Sequence, residues 1–257
     1  MKIIKYFFEF IFIYILLIIF KLIGYKKASN LGAIIGNKIG PLFRSNKKIL
    51  INLENSKIGN SQEDRKSIIN NMWSNYGRIL SEYVYLKKFK KNNLNQFIEI
   101  EGLNYLNEIK SNNERVVFIS GHFNNFELMA MEIEKAGINL CAIYRPLNNP
   151  FLNIIMERIR KNYICKNQIK KGKKGTRDML NLFKENFSVA LMIDQRVSEG
   201  MEIKLFNRPA KTTTIPAQLV KKYDCSIVPV YIERVKKYNF KLSFNKPIKF
   251  DKNLSIE

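Results

Sequence analysis

The chain has 257 residues, 46% hydrophobic and 26% charged, with 12 Gly and 7 Pro; this balance excludes a disordered or collagen-like chain and suffices for one large domain or two small ones. Its 44 Lys+Arg against 22 Asp+Glu leave a net charge of +22, which points to nucleic acid, an anionic membrane face or an acidic carrier, although Lys, Ile and Asn are abundant throughout, as AT-rich coding produces. Three cysteines with no C-x-x-C pair argue against a disulfide framework or a thiolate zinc site, and the single histidine, His122, leaves one candidate for an imidazole base.

In chain order, Ile3–Ile23 is almost wholly apolar, interrupted by Lys5, Glu9 and Lys21. As a helix it spans about 32 Å, roughly a hydrocarbon core. Lys5 and Lys21 can snorkel from its ends, and Glu9 lies one turn from Lys5. Three readings compete: a spanning anchor, which is preferred, a helix lying in one leaflet, and a cleaved signal peptide. No small-x-small cleavage site follows; Lys21, Lys26, Lys27, Lys38, Arg44, Lys47 and Lys48 do. Positive charge on that side places the body in the cytoplasm beside an anionic leaflet, which gives part of the net charge a partner without nucleic acid.

Residues 28–95 read as helical, with an apolar stripe through Ile69, Met72, Trp73, Tyr76, Leu80 and Tyr83, and with Ser61-x-x-Asp64 as a helix start. Lys87–Asn93 reads as a basic linker. Beyond Arg115 strands and helices alternate. Val116–Ser120, Leu140–Tyr144, Ser188–Ile193, Ile227–Ile232 and Lys241–Ile248 read as strands. Helices are expected after Gly121-His122 to near Gly137, from the cap Asn149-Pro150 to about Lys161, over Thr176–Lys184 and over Thr214–Tyr223. The expected fold is α/β: an N-terminal membrane helix and a helical segment, then a largely parallel β-sheet with flanking helices. His122, Arg145 and Asp194 each follow a strand's carboxyl end, where ligands bind in such sheets.

In Gly121-His122-Phe123-Asn124-Asn125-Phe126-Glu127, His and Glu would stand about 140° apart on one regular helix. With His122 in the strand-to-helix turn and Glu127 on the helix, they can meet. A carboxylate on one imidazole nitrogen fixes the tautomer and leaves the other to take a proton from a hydroxyl. No Ser or Cys stands out as a covalent nucleophile, so that hydroxyl belongs to the substrate.

The segment resembles the H-x4-D/E box of the lysophospholipid acyltransferase superfamily, and within it the late acyltransferases of lipid A biosynthesis (lauroyl/myristoyl acyltransferases). Tyr144-Arg145-Pro146 with Asn149-Pro150, Asp194-Gln195 with Gly200, and Ala210 through Thr214 with Ile227-Val228-Pro229 are similar to further family segments. Family members commonly continue into a Trp-containing C-terminal segment, so this chain reads as a short or truncated member. The resemblance implies an anchor over 1–27 and an acyltransferase domain over 28–257, helical over 28–95 and α/β over 96–257. It implies acyl transfer from acyl carrier protein to a hydroxyl of a lipid A precursor at the bacterial inner membrane, with the catalytic part in the cytoplasm and no metal or cofactor, because a thioester is already activated. His122 would be the base and Glu127 its partner. Arg145, Asp194, Asn124 and Thr212 are the candidate substrate-binding residues. For Arg145 the oxyanion and a phosphate both remain open, as does an ion pair with Asp194. Thr212–Thr214 also read as a helix cap. Other acceptors (a lysophospholipid, an ornithine lipid, a glycolipid) fit the same box, whereas a membrane-tethered nucleic-acid-binding protein explains the charge but not the box.

Overall fold

A computed structural model of the chain describes residues 2–251, so 252–257, where the expected catalytic part ends, lie outside the described residues. Ten α-helices and nine strands are assigned among them. They form two compact units. One comprises the chain through Phe10, Leu86–Glu202 and the chain from Lys211 onward; the other comprises Ile11–Tyr85 and Ile203–Ala210.

The helical unit takes most of α1 (Lys2–Ile23), α2 (Tyr25–Phe43), α3 (Asn46–Asn55) and α4 (Gln62–Glu82). Helix α1 is long and apolar enough to cross a membrane, and many of its side chains are exposed, Leu22 at 79% among them. Lys5 and Glu9 pair at 3.8 Å, as one turn of helix requires. Gly24, at φ +84°, separates α1 from α2. The Ser61–Asp64 capping box starts α4 as its spacing predicts. Helices α2 and α4 approach so closely that a Cβ on Gly77 would collide with the Gly32 carbonyl oxygen, and one on Gly40 with the Trp73 indole. Between them Ser29 Oγ donates to the buried Glu82 at 3.0 Å.

The sheet unit is seven-stranded, in the order β1-β9-β8-β2-β5-β3-β4. The strands are β1 (Ile98–Glu101), β2 (Val117–Ser120), β3 (Leu140–Tyr144), β4 (Asn167–Lys170), β5 (Ser188–Met192), β8 (Ile227–Lys236) and β9 (Asn239–Phe244). All neighbours are parallel except β8 and β9. The central strands are continuous apolar runs, as burial on both faces demands. Val117, Cys141, Val189 and Leu191 pack there with Met179 and Phe183 of α9 (Lys173–Lys184).

Several expectations shift by a few residues. The strand expected over Lys241–Ile248 ends at Phe244, with Ile248 bridging to Ile227 instead. Lys87–Asn93 is not a linker: α5 (Leu86–Lys90) buries Leu86 and Phe89 completely. The polar edge strands β1 and β4 lack the apolar run that marks the central strands. A further two-stranded hairpin, β6 (Met201–Leu205) and β7 (Arg208–Thr212), turns through Phe206 and Asn207, both at positive φ. No Asn-Gly or Asp-Gly pair announces that turn.

Candidate active site

Register builds the site. In the parallel pair β2–β5, Ser120 lies opposite Met192. Two residues further along each strand's exit stand His122 and Asp194. The His122 backbone N–H donates to Asp194 Oδ2 at 2.9 Å, and His122 Nδ1 lies 2.8 Å from Asp194 Oδ1. One carboxylate thus grips both main chain and ring of the same histidine. The ring meets Phe126 edge-on at 4.8 Å between centroids. On the far side Gln195 Nε2 lies 3.5 Å from His122 Nε2. With the Nδ1 proton directed at Asp194, Nε2 is the acceptor. The pair is open to solvent, at 31% and 38% side-chain exposure.

Asp194 therefore occupies the place expected for Glu127. Glu127 starts α7 (Glu127–Lys135) and is buried. Its Oε1 accepts from Arg160 Nε at 2.9 Å and Nη2 at 2.7 Å. A carboxylate buried this deeply needs a cation, and Arg160 of α8 (Pro150–Tyr163) supplies it. The guanidinium also sits over the Tyr144 ring, 5.7 Å from its centroid. Tyr144 in turn donates to Glu157 Oε1 at 2.6 Å, where Asn153 and Lys170 converge. That hydrogen bond and the neighbouring ones hold the Glu157 carboxyl down to about 2, while burial and the facing carboxylate push the Tyr144 hydroxyl up.

The other candidates are dispersed. Arg145, just past β3, is exposed, and among the described residues it makes no ion pair, so its expected pairing with Asp194 does not form. Asn124, at φ +43°, donates its amide to the Ile232 carbonyl at 3.2 Å. Thr212 ends β7, ahead of α10 (Ile215–Tyr223), rather than capping that helix. The Thr213 hydroxyl does accept from the Ile215 N–H at 3.4 Å. Asn149 caps α8 as expected, accepting from Phe151 and Leu152. Arg160 was not foreseen; its one signal is that an apolar-flanked Glu127 requires a counter-charge. Among the described residues no three His, Cys, Asp or Glu side chains converge to hold a metal ion.

The fold is thus of the α/β class, a mostly parallel sheet with a histidine–carboxylate pair at the carboxyl ends of its middle strands, where such sheets bind ligands. The chain belongs to the bacterial lipid A biosynthesis acyltransferase family, whose model matches residues 1–256. It is 23% identical over 130 residues to a lipid A biosynthesis myristoyltransferase of Escherichia coli (strain K12) and to lipid A biosynthesis acyltransferase 1 of Shigella flexneri. The matched stretch is 50% of this chain and 40% of each relative, so the match spans well under half the length of those curated proteins. The crystal structure of the 1-acyl-sn-glycerophosphate (LPA) acyltransferase PlsC from Thermotoga maritima aligns over 87% of each chain, with 12% identity and a TM-score of 0.37.

Proposed function

We propose that this chain is a membrane-anchored O-acyltransferase that moves a fatty acyl group from acyl carrier protein, or acyl-CoA, to a hydroxyl of a lipid A precursor. Family membership supports the reaction class. The observation that carries the mechanism is the 2.8 Å contact from His122 Nδ1 to Asp194, which leaves Nε2 directed away from the carboxylate. Nε2 takes the proton of the acceptor hydroxyl, and the oxygen attacks the thioester carbonyl. Asp194 stabilises the imidazolium. Collapse of the tetrahedral intermediate breaks the C–S bond, and the imidazolium returns its proton to the departing thiolate. Arg145 donates to the oxyanion, because the first N–H groups of α7, those of Leu128 and Met129, already bond the Asn125 and Phe126 carbonyls. Arg145 serves equally as a phosphate clamp, because its guanidinium pairs well with phosphate. Asn124 and Thr212 complete the proposed substrate contacts. Glu127 acts through Arg160, holding the turn that carries His122.

Helix α1 anchors the chain in the inner membrane, with the catalytic part in the cytoplasm. The basic run Lys170, Lys171, Lys173, Lys174 and Arg177 meets the acidic carrier. The test is His122→Ala, assayed with acyl carrier protein and acyl-CoA donors against a panel of lipid acceptors. Acyl transfer is expected to vanish while circular dichroism and membrane association stay unchanged. Turnover near the wild-type level would overturn the mechanism, since no second histidine exists to substitute.

A further inference from the structure

We propose that the helical unit carries a second lipid site, separate from the His122 centre: a pocket at the α2–α3 corner that seats the phosphate headgroup of an anionic bilayer phospholipid. The pocket is an open depression of about 390 Å³ lined by Arg44, Ile49, Asn52, Met72, Trp73 and Tyr76. That volume lies in the range of small-ligand sites, and its make-up is typical of them: an apolar floor with a few polar groups. The floor is fixed. The Trp73 indole packs on Gly40, where no side chain fits, and its N–H donates to Asn46 Oδ1 at 2.9 Å.

Two features select the occupant. The first is charge. From Phe10 to Leu53 the chain carries Lys21, Lys26, Lys27, Lys38, Arg44, Lys47 and Lys48 and not one acidic residue. Arg44, at the pocket rim, has no ion-pair partner among the described residues, and a guanidinium fits phosphate through paired hydrogen bonds. The second is the pair preceding it. Leu42 and Phe43 are 83% and 82% exposed, far beyond what a solvated turn needs from two large apolar side chains. Apolar residues flanked by lysines are the composition of a segment seated at the boundary between headgroups and acyl chains. The lipid's phosphate meets Arg44 and Asn52, its chains run beside Leu42 and Phe43, and the bilayer completes the site.

Trp73 is the sole tryptophan of the chain, so its emission reports this pocket alone. The experiment titrates the full-length protein, in neutral detergent micelles, with phosphatidylglycerol or phosphatidylcholine bearing the same brominated chains, and reads quenching. Phosphatidylglycerol is expected to quench saturably at about tenfold lower mole fraction, because both lipids present a phosphate but the choline cation of phosphatidylcholine is repelled by Arg44 and the lysines beside it. Arg44→Ala removes that preference, and Leu42→Ser with Phe43→Ser weakens both lipids alike. These side chains are exposed, so the variants keep the fold, which circular dichroism verifies. Equal quenching by the two lipids overturns the proposal, as does a preference that survives Arg44→Ala. Full competition by millimolar inorganic phosphate makes this an ion site. Stronger binding of a bisphosphorylated disaccharide lipid makes it an acceptor site; either result rejects the phospholipid. Turnover is not read, so the outcome stands apart from the acyl-transfer reading.

Discussion

An imidazole bonded through Nδ1 to a carboxylate keeps its proton on that nitrogen, and Asp194 imposes this on His122. Asp194→Asn preserves the shape but permits the other tautomer, so the rate should fall on the order of 10⁴-fold, with an altered acid limb of the pH–rate profile. Glu127→Gln should act differently. It leaves the half-buried Arg160 guanidinium facing a neutral amide in place of a carboxylate, at a cost of about 1–3 kcal/mol. A lowered thermal midpoint with an unchanged acid limb is the expected signature, and a shifted limb would return Glu127 to the role of the histidine's partner. Glu157 titrates far below an ordinary carboxyl, its largest cause being the Tyr144 hydroxyl. A depressed folded-state value stabilises the fold above the unfolded carboxyl range, near pH 4–5, and this contribution is lost as pH falls towards 2. Tyr144→Phe should therefore raise the midpoint of acid unfolding. The box Gly121–Glu127 is legible from residue types alone. The carboxylate that reaches His122 is not, because it depends on the register between strands 72 residues apart.

Elements differ in how far local pattern reveals them. The central strands and α8 announce themselves through apolar runs and the Asn149-Pro150 cap. The edge strands β1 and β4 are four residues each, with two and three of them polar, and only pairing with a neighbour makes them strands. Helix α5 looks like a charged linker because three of its five residues are lysine, yet Leu86 and Phe89 bury it. The close crossing of α2 and α4 is equally silent in the stripe of aromatics, because it depends on glycines. Gly77→Ala would push a methyl against the Gly32 carbonyl and should cost at least about 1–3 kcal/mol, measurable as a lower thermal midpoint. Deleting residues 1–21 should release the protein from washed membranes or cause it to aggregate. Retention in the membrane fraction after a high-salt wash would count against α1 as the anchor.

Across the molecule, all three thiols lie inside the sheet unit, and burial raises each, Cys141 to about 12 and Cys225 to about 11. Native protein should react with a thiol reagent only at the rate at which the sheet opens, and all three should react at once in denaturant. The layer order was readable from alternating strands and helices; the reversal at one edge was not. That edge joins β1, early in the chain, to β9, late in it, with Ile98 opposite Phe240. At roughly 5–20 residues per second of synthesis, the intervening chain takes on the order of 10 s to emerge from the ribosome. Throughout that interval β1 has no strand to pair with. Strand β9, the last of the described strands, thus shelters the first, and a ribosome stalled before residue 239 would leave Ile98–Glu101 as an open strand, a ready template for aggregation.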